Sequence, residues 1–453
     1  MVLPPTEEYA IDPVTTMTAE PPVEAAPRPP ARKGRRPKGP EFYKPFHLLL
    51  MVYLFFYCSR IPEMVSWLHI GLLFQPILLI GMFMTGTTKA IFKTDIGRIM
   101  TAFTVWIAIC VPFSTWKGGS FNTLTYTAQA LLLLFFMAAF IRTLEDCYRA
   151  MLMIALAMAA IGVMSLVIGG GRAHDNRLGL GTGTDTLADA NFLALYLVVG
   201  LPFLWFSASQ KKGFMRWGLL LMMVPVLAGA ARTGSRMGLL ALAAGLLMFF
   251  IFATMAQRAA IIFGGIAFLV LAVTLLPARI SERFTTYFSP KSAASVEAAN
   301  SADARKVMFL RSVQLSLEHP FFGVGPGEFM DAEAKEAAAN NKRGLWKYTH
   351  NSYTELSSET GFIGLGLFLY AFFRSYRGMT PIRNRYPNLN ARRGALFLQI
   401  AILMSMVGAF FLSIAYGGIL YGMLGISAAF QQAVANDWKG RKLAEQEAVA
   451  AAA

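Results

Sequence analysis

Apolar segments long enough to cross a membrane recur along most of the chain, separated by shorter polar segments. A transmembrane helix needs about 20 mostly apolar residues to cross about 30 Å of hydrocarbon. The pattern therefore predicts about twelve membrane-spanning helices, of which the tenth is short enough to be one half of a broken span. They cover 44–58, 66–85, 98–113, 121–141, 149–169, 188–207, 215–230, 237–256, 259–276, 361–376, 395–415 and 418–434.

The same pattern divides the chain into five regions. Residues 1–43 are rich in proline and alanine and end in a basic cluster, which predicts a disordered basic tail. Residues 44–276 are predicted to form a transmembrane bundle of spans 1–9, and residues 277–360 a long loop. Residues 361–434 contain spans 10–12, and residues 435–453 form a C-terminal tail.

The loop 277–360 has helical patterns of its own. Apolar residues recur at helical spacing over 302–320, and Pro320 ends that pattern. A glycine-proline turn, "FFGVGPGEF", follows, and "EFMDAEAKEAAANN" is a second helix candidate. We expect the loop to be a small helical cap on the membrane surface rather than a flexible tether.

Composition and charge support this interpretation. Of the 453 residues, 55% are apolar and 15% charged, whereas soluble domains have about 25% charged residues. The fold class is therefore an all-α polytopic membrane protein. Lys and Arg number 25 on the side of the termini and six in the short loops opposite, which predicts cytoplasmic termini and a periplasmic loop 277–360. The basic tail then indicates an anchor at the membrane surface rather than nucleic-acid binding.

A few arginines occur on the outer side despite this bias. Arg177 lies between spans 5 and 6, and Arg232 and Arg236 lie between spans 7 and 8. A guanidinium stays charged and grips two oxygens at once, so these residues are candidates for binding a diphosphate. Snorkelling towards lipid headgroups is the alternative, above all for Arg232. Asp185 and Asp189 form no recognisable metal-ligand set, so no metal is predicted.

His350 is the candidate general base, since imidazole accepts protons near neutral pH. It precedes a predicted short helix capped by Thr349 or Asn351, and Gly361 is expected to end that helix. His174 is the rival candidate because it lies near Arg177. On spacing alone, an interfacial histidine without a chemical role is the favoured interpretation.

Several short motifs occur in one order along residues 170–376. His350 and Asn351 are followed by nine residues and then by "GFIG", which contains Gly361 and Gly364. This pattern resembles the signature of bacterial O-antigen ligases and related polymerases. Three further segments resemble that family: "SRMGLL" with Arg236 and Leu240, "NRLGLGTGTDTLADANFLALYLVVGLP" with Arg177 and Asn191, and "EHPFFGVGPGEF". Leu365 and Gly366 stand where the family has Thr-Tyr, so ligase, polymerase and protein O-oligosaccharyltransferase are not separated.

The resemblance implies a multi-pass, glycosyltransferase C-like enzyme of the bacterial inner membrane, inverting and independent of metal or other cofactor. The implied donor is a glycan on undecaprenyl diphosphate, and the acceptor is lipid A–core, a growing polysaccharide or a protein. His350 would then activate the acceptor hydroxyl, and Arg177 and Arg236 would bind the diphosphate. The other candidate substrate-binding residues are Arg232, Arg305, Asn191 and Asn351. Arg305 lies on the predicted loop helix. The alternative interpretation is that it belongs to a solvent-exposed charged face of that helix and binds no substrate.

Two functions of other classes stay open at this point. A polysaccharide transporter or flippase predicts ionisable residues near the bilayer midplane and internal repeats. The predicted span interiors contain few such residues, and the two halves of the chain show no convincing repeat. A non-catalytic component of an exopolysaccharide export complex would instead leave the arginines far apart and exposed.

Overall fold

The computed structural model describes residues 43–65, 70–171, 177–181, 186–275 and 293–452. The predicted disordered tail falls almost entirely outside these residues, as do Arg172, His174 and Asp185. Within them the chain is mostly helical, with one two-stranded antiparallel sheet, Gly170–Gly171 with Leu178–Gly179. We number the α-helices in chain order: α1 Lys44–Ser59, α2 Ile61–Met64, α3 Ile70–Met84, α4 Asp95–Cys110, α5 Lys117–Phe140, α6 Leu144–Val167, α7 Ala190–Ser209, α8 Gly213–Leu221, α9 Met223–Arg232, α10 Arg236–Phe252, α11 Met255–Leu275, α12 Ala293–Glu318, α13 Phe329–Ala339, α14 Ser352–Arg385, α15 Leu389–Ala409 and α16 Gly418–Ala452.

Every predicted span position carries an apolar helix or helix pair. Eight segments in the described residues are long and apolar enough to cross a membrane, and four shorter apolar helices occupy the remaining positions. The protein is therefore an all-α polytopic membrane protein. The predicted span 215–230 consists of the two helices α8 and α9, which separate at Met222. Pro225 is the third residue of α9 and has no N–H with which to continue the helical hydrogen bonds of α8.

Helix α7 lies at the centre of the bundle. It packs against α6, α9, α10 and α15 and is the most deeply buried of the eight long apolar segments. Both its ends are defined locally: Asp189 caps the first turn, and Gln210 closes the last. The N-terminus of α7 is thus fixed within the bundle, at the place where the candidate site lies.

The segment between α11 and α14 contains the two helices α12 and α13. Helix α12 begins at Ala293, earlier than the sequence pattern indicated, because the alanine-rich stretch before residue 302 also favours a helix. It ends at Glu318, just before Pro320. A small apolar cluster joins the two helices and the turn between them, formed by Met308, Leu315, Val324, Phe329 and Ala332. Arg311 and Glu336 add an ion pair between the helices.

The predicted tenth span, 361–376, is longer in the structure. Helix α14 begins at Ser352 and continues to Arg385, with one residue of non-helical geometry at Gly361 (φ 70°, ψ 179°). The sequence prediction of a capped short helix ending at Gly361 is confirmed, because Asn351 caps the first part and Gly361 interrupts the helix. Helix α16 likewise continues beyond the predicted span end at 434, as far as Ala452.

Candidate active site

His350 lies directly before the cap of α14. The side-chain oxygen of Asn351 accepts hydrogen bonds from the backbone N–H groups of Tyr353 (2.9 Å) and Thr354 (3.1 Å). The carboxamide oxygen of Asn351 therefore caps the helix, which gives this predicted substrate-binding residue a positioning role. The histidine itself is half-buried.

The backbone of His350 is in the left-handed region, with φ 52°. A residue with a side chain adopts this conformation rarely, and it costs on the order of 1–3 kcal/mol. The loop between α15 and α16 holds it there, since the backbone N–H of His350 donates to Ser413 Oγ at 3.0 Å. The same oxygen is 2.9 Å from Thr349 Oγ1. Such strain is typical of positions whose side chain must point in one direction.

The surroundings of His350 favour neutral imidazole. Burial lowers the pKa of His350 below its ordinary value, and the guanidinium of Arg305 lowers it further. The Asp189 carboxylate opposes this shift, and Lys347 adds to it. Arg305 and Asp189 are therefore within electrostatic reach of the histidine, although they are far from it in sequence. Neutral imidazole can accept a proton from a hydroxyl group near pH 7.

Arg177 is anchored where the chain enters the short sheet. Its Nη2 donates to Asn191 Oδ1 at 2.8 Å, and its Nε donates to the carbonyl oxygen of Thr233 at 2.9 Å. Asn191 Oδ1 also accepts a hydrogen bond from Ser235 Oγ at 2.9 Å. Asn191 is therefore a bridge between the two arginine-bearing segments, and its side-chain oxygen is used in positioning Arg177.

Arg236 is the first residue of α10, and Ser235 caps that helix by accepting from the N–H of Gly238. A Cβ atom at Gly238 would lie 2.8 Å from the Cβ of Ala194 on α7. The absence of a side chain at Gly238 thus lets the first turns of α7 and α10 approach closely. Arg177 thereby contacts the segment that leads to Arg236, because its Nε donates to the carbonyl oxygen of Thr233, three positions before Arg236.

Three helix N-termini meet at this place. Asp189 caps α7 by accepting from the N–H of Asn191 at 2.7 Å, and its charge also acts on His350 before α14. The hydrogen bond between Ser235 and Asn191 joins the α10 cap to α7. Helix N-termini carry partial positive charge and bind anions such as phosphate. The joined N-termini of α7 and α10, with Arg177 bound to both segments, are suited to an anion such as a phosphate group.

The other candidate residues differ in their surroundings. Arg305 is half-buried on α12 and acts on His350, so the structure groups it with the histidine. The side chain of Arg232 is exposed in the last turn of α9, which fits the snorkelling alternative. Among the residues that the structure describes, no group of three His, Cys, Asp or Glu side chains is arranged to hold a metal ion.

The "GFIG" segment connects the site to the loop turn. Gly361 breaks α14, and its neighbour Phe362 donates its N–H to the carbonyl oxygen of Pro320 at 2.8 Å. The carbonyl oxygen of Thr360 accepts a hydrogen bond from Trp106 Nε1 at 2.8 Å. A Cβ at Gly361 would lie 1.9 Å from the carbonyl oxygen of Phe321. Only glycine fits the close contact between α14 and the turn after α12.

Two buried glutamates in the first part of α14 were missed by the sequence analysis. Glu359 accepts hydrogen bonds from the backbone N–H groups of Gly327 (2.8 Å) and Phe329 (3.2 Å), and so binds the loop turn. Glu355 accepts from the N–H of Ala415 at 3.2 Å. The sequence could have indicated them, because a carboxyl group beside an apolar span is costly in free energy to bury and usually has a specific role.

Replacing Gly361 with alanine is expected to destabilise the fold. The left-handed, extended geometry costs a residue with a side chain about 1–3 kcal/mol, and the contact with Phe321 adds to this. The apparent Tm of the purified variant in detergent should fall. Gly366→Ala is the matched control in the same helix, since nothing lies within 4 Å of a Cβ there. Equal Tm values for the two variants would contradict this account of the break.

One family model matches part of the chain. Residues 221–369 match the family model described as O-antigen ligase. This segment is similar to the O-antigen ligase family, and we refer to it as the O-antigen ligase-like domain. It contains Arg236, Arg305 and His350, whereas Arg177 and Asn191 lie before it. The O-antigen ligase-like domain therefore includes the candidate base and one of the two neighbouring arginines.

The chain also resembles solved structures. One is a chain from work described as "Structural coordination of polymerization and crosslinking by a peptidoglycan synthase complex". It has 14% sequence identity and a TM-score of 0.43, and the similarity covers 76% of this chain and 98% of that chain. No curated protein matches the sequence at a significant level.

Proposed function

We propose that the protein transfers a glycan from undecaprenyl diphosphate to an acceptor hydroxyl on the periplasmic side of the inner membrane. The observation that supports the proposal is a series of contacts. Asp189, whose charge acts on His350, caps the helix α7. Asn191 in the first turn of α7 accepts hydrogen bonds from Arg177 and from Ser235, the residue before Arg236. The O-antigen ligase-like domain supports the same class of reaction. Lipid A–core, a growing polysaccharide and a protein are the candidate acceptors.

The membrane orientation follows from charge. Positive residues concentrate on the side of both termini, which we place in the cytoplasm. His350, Arg177 and Arg236 then face the periplasm, where a lipid-linked donor presents its diphosphate at the headgroup level. In this orientation we propose about twelve membrane spans.

The chemistry follows from the positions of the charged groups. His350 takes the proton of the acceptor hydroxyl while the acceptor oxygen bonds to the anomeric carbon of the first sugar. The bond from that carbon to the diphosphate oxygen breaks, and its electron pair leaves with the diphosphate. Arg177, Arg236 and the positive helix ends stabilise the new negative charge. Attack opposite the leaving group inverts the anomeric configuration.

Reconstitution tests the proposal. The purified full-length protein is incubated with a lipid-diphosphate oligosaccharide and each class of acceptor, and the products are analysed by mass spectrometry. We expect a new glycosidic bond of inverted configuration and release of undecaprenyl diphosphate, in the presence of EDTA as in its absence. Movement of intact donor across a vesicle membrane without bond formation would instead favour a flippase.

The pH dependence of transfer should report His350. The imidazole acts in its neutral form, so kcat/KM should rise with pH and level off, with a midpoint below about 6.5, the ordinary histidine pKa. Arg305→Gln removes a cation that lowers the pKa of His350, so the midpoint should move to higher pH. Lys347→Gln should move it in the same direction. An unchanged midpoint in Arg305→Gln would contradict this assignment.

A further inference from the structure

A cavity of about 180 Å³ opens beside the histidine. Ser413 forms part of its wall and accepts the backbone hydrogen bond of His350. Phe192, on another wall, directly follows Asn191, the acceptor for Arg177. The cavity is therefore lined by the residue that holds the backbone of His350 and by the neighbour of Asn191, and neither the sequence motifs nor the proposed chemistry accounts for it.

The polar groups in the cavity come from distant parts of the chain. Arg60 stands between α1 and α2 in a left-handed conformation (φ 54°), and its Nη2 donates to Thr186 Oγ1 at 3.0 Å. Thr186 also lines the cavity and belongs to the short 3₁₀ turn that leads into the α7 cap. Glu355 contributes a buried carboxyl group from the first turn of α14. One guanidinium-bearing residue, one carboxyl-bearing residue and the hydroxyl-bearing residues Thr186 and Ser413 thus line a common space.

Aromatic side chains complete the walls. Tyr196 and Tyr416 add phenol rings, and Phe192 adds an apolar ring. Sugar hydroxyls donate to carboxylates and accept from guanidinium groups, and the C–H face of a sugar ring packs against aromatic rings. A cavity of about 150 Å³ is known to hold one benzene ring. A cavity of about 180 Å³ therefore suits a single six-membered ring.

We propose that this cavity binds one sugar ring through Arg60 and Glu355, and holds it next to His350. The inference rests on the proposed function and names a subsite within it. The ring can belong to the donor, as its first sugar, or to the acceptor, as the sugar that carries the reacting hydroxyl. Both sources share the chemistry of a ring with adjacent hydroxyl groups, and the experiments below distinguish them.

A binding experiment tests the subsite without requiring turnover. Methyl glycosides of common hexoses and N-acetylhexosamines are titrated against the detergent-solubilised full-length protein, with saturation-transfer NMR as the readout. We expect wild type and His350→Ala to bind at least one of these glycosides. Glu355→Gln keeps the shape and the acceptor for the Ala415 N–H, yet should weaken binding at least tenfold. Arg60→Lys should do the same.

The control is Glu328→Gln, which changes another buried carboxyl outside the cavity wall and should bind like wild type. Failure of wild type to bind any glycoside of the panel would overturn the subsite, and so would equal binding by Glu355→Gln. Binding without transfer in the reconstituted reaction would refute the proposed function while the subsite stands. Transfer without glycoside binding would support the proposed function and refute the subsite.

Kinetics then identify the source of the ring. In the reconstituted reaction, Glu355→Gln should raise KM at least tenfold for one substrate and change kcat less. A rise in the donor KM assigns the ring to the donor, and a rise in the acceptor KM assigns it to the acceptor. A loss confined to kcat, with both KM values unchanged, would contradict a binding role for Glu355.

Discussion

Replacing His350 with alanine is expected to lower glycan transfer at least about 100-fold, because general base catalysis contributes about 10²–10⁴-fold. The imidazole is half-buried, its pKa is lowered, and its backbone is held in a rare conformation by Ser413. The measurement is kcat in the reconstituted reaction with donor and acceptor at saturation. The variant should insert and accumulate like wild type, because the hydrogen bond that holds this position to Ser413 uses the backbone N–H, which alanine keeps.

His319→Ala is the matched control for this experiment. His319 lies on the same loop, and its side chain is exposed. The hydrogen bonds that link it to Leu315 and Gly323 use its backbone and not its ring. Transfer by His319→Ala should equal wild type. Retained transfer by His350→Ala would remove the histidine from catalysis, and a matched loss in both variants would point to disturbance of the loop.

Arg177→Lys and Arg236→Lys should each lower kcat by about 100-fold, since loss of one electrostatic stabiliser of a transition state costs about 10²–10³-fold. A lysine keeps the charge but not the planar fork. Arg177 shows why the fork matters, because its Nε and Nη2 bind Thr233 and Asn191 simultaneously. A lysine carries all its donors on one nitrogen. It therefore cannot reach Thr233 and Asn191 from separate nitrogens while a third nitrogen faces a diphosphate.

Arg343→Lys serves as the control, since Arg343 is exposed on the loop before His350. Its transfer rate should stay at the wild-type value. Normal turnover by both Arg177→Lys and Arg236→Lys would contradict diphosphate binding by guanidinium groups. A fall in only one of them would assign the leaving-group contact to that arginine alone.

Much of the fold was predictable because membrane helices leave a strong and local signal. Twenty apolar residues in a row identify a span, and each predicted position carries a helix. The cap at Asn351 and the break at Gly361 were also local, since one needs a short polar side chain and the other a left-handed residue. Breaks within a span, such as the one at Met222, were harder to place because the apolar signal continues across them.

The site could be predicted only in part. His350, Arg177 and Arg236 stand out as charged or titratable groups beside apolar spans, and the described structure groups Arg305 and Asp189 with the histidine. The partners that orient them do not stand out. Ser413 is an ordinary polar residue until the fold brings it to the backbone of His350. Asn191 was predicted to bind substrate, but its role as the acceptor for Arg177 and Ser235 appears only in the structure. Arg60 was counted in the charge bias, but nothing near it in sequence links it to a cavity.

The hydrogen bond from His350 to Ser413 has a consequence for how far the active unit extends. Ser413 lies more than forty positions beyond the segment 221–369 that matches the family, and Arg177 lies before it. The matched segment alone would lack the residue that holds its candidate base and one of the two candidate diphosphate-binding arginines. On the proposed function, we expect an excised fragment of those bounds to be inactive, and the minimal active unit to need helices from both flanks.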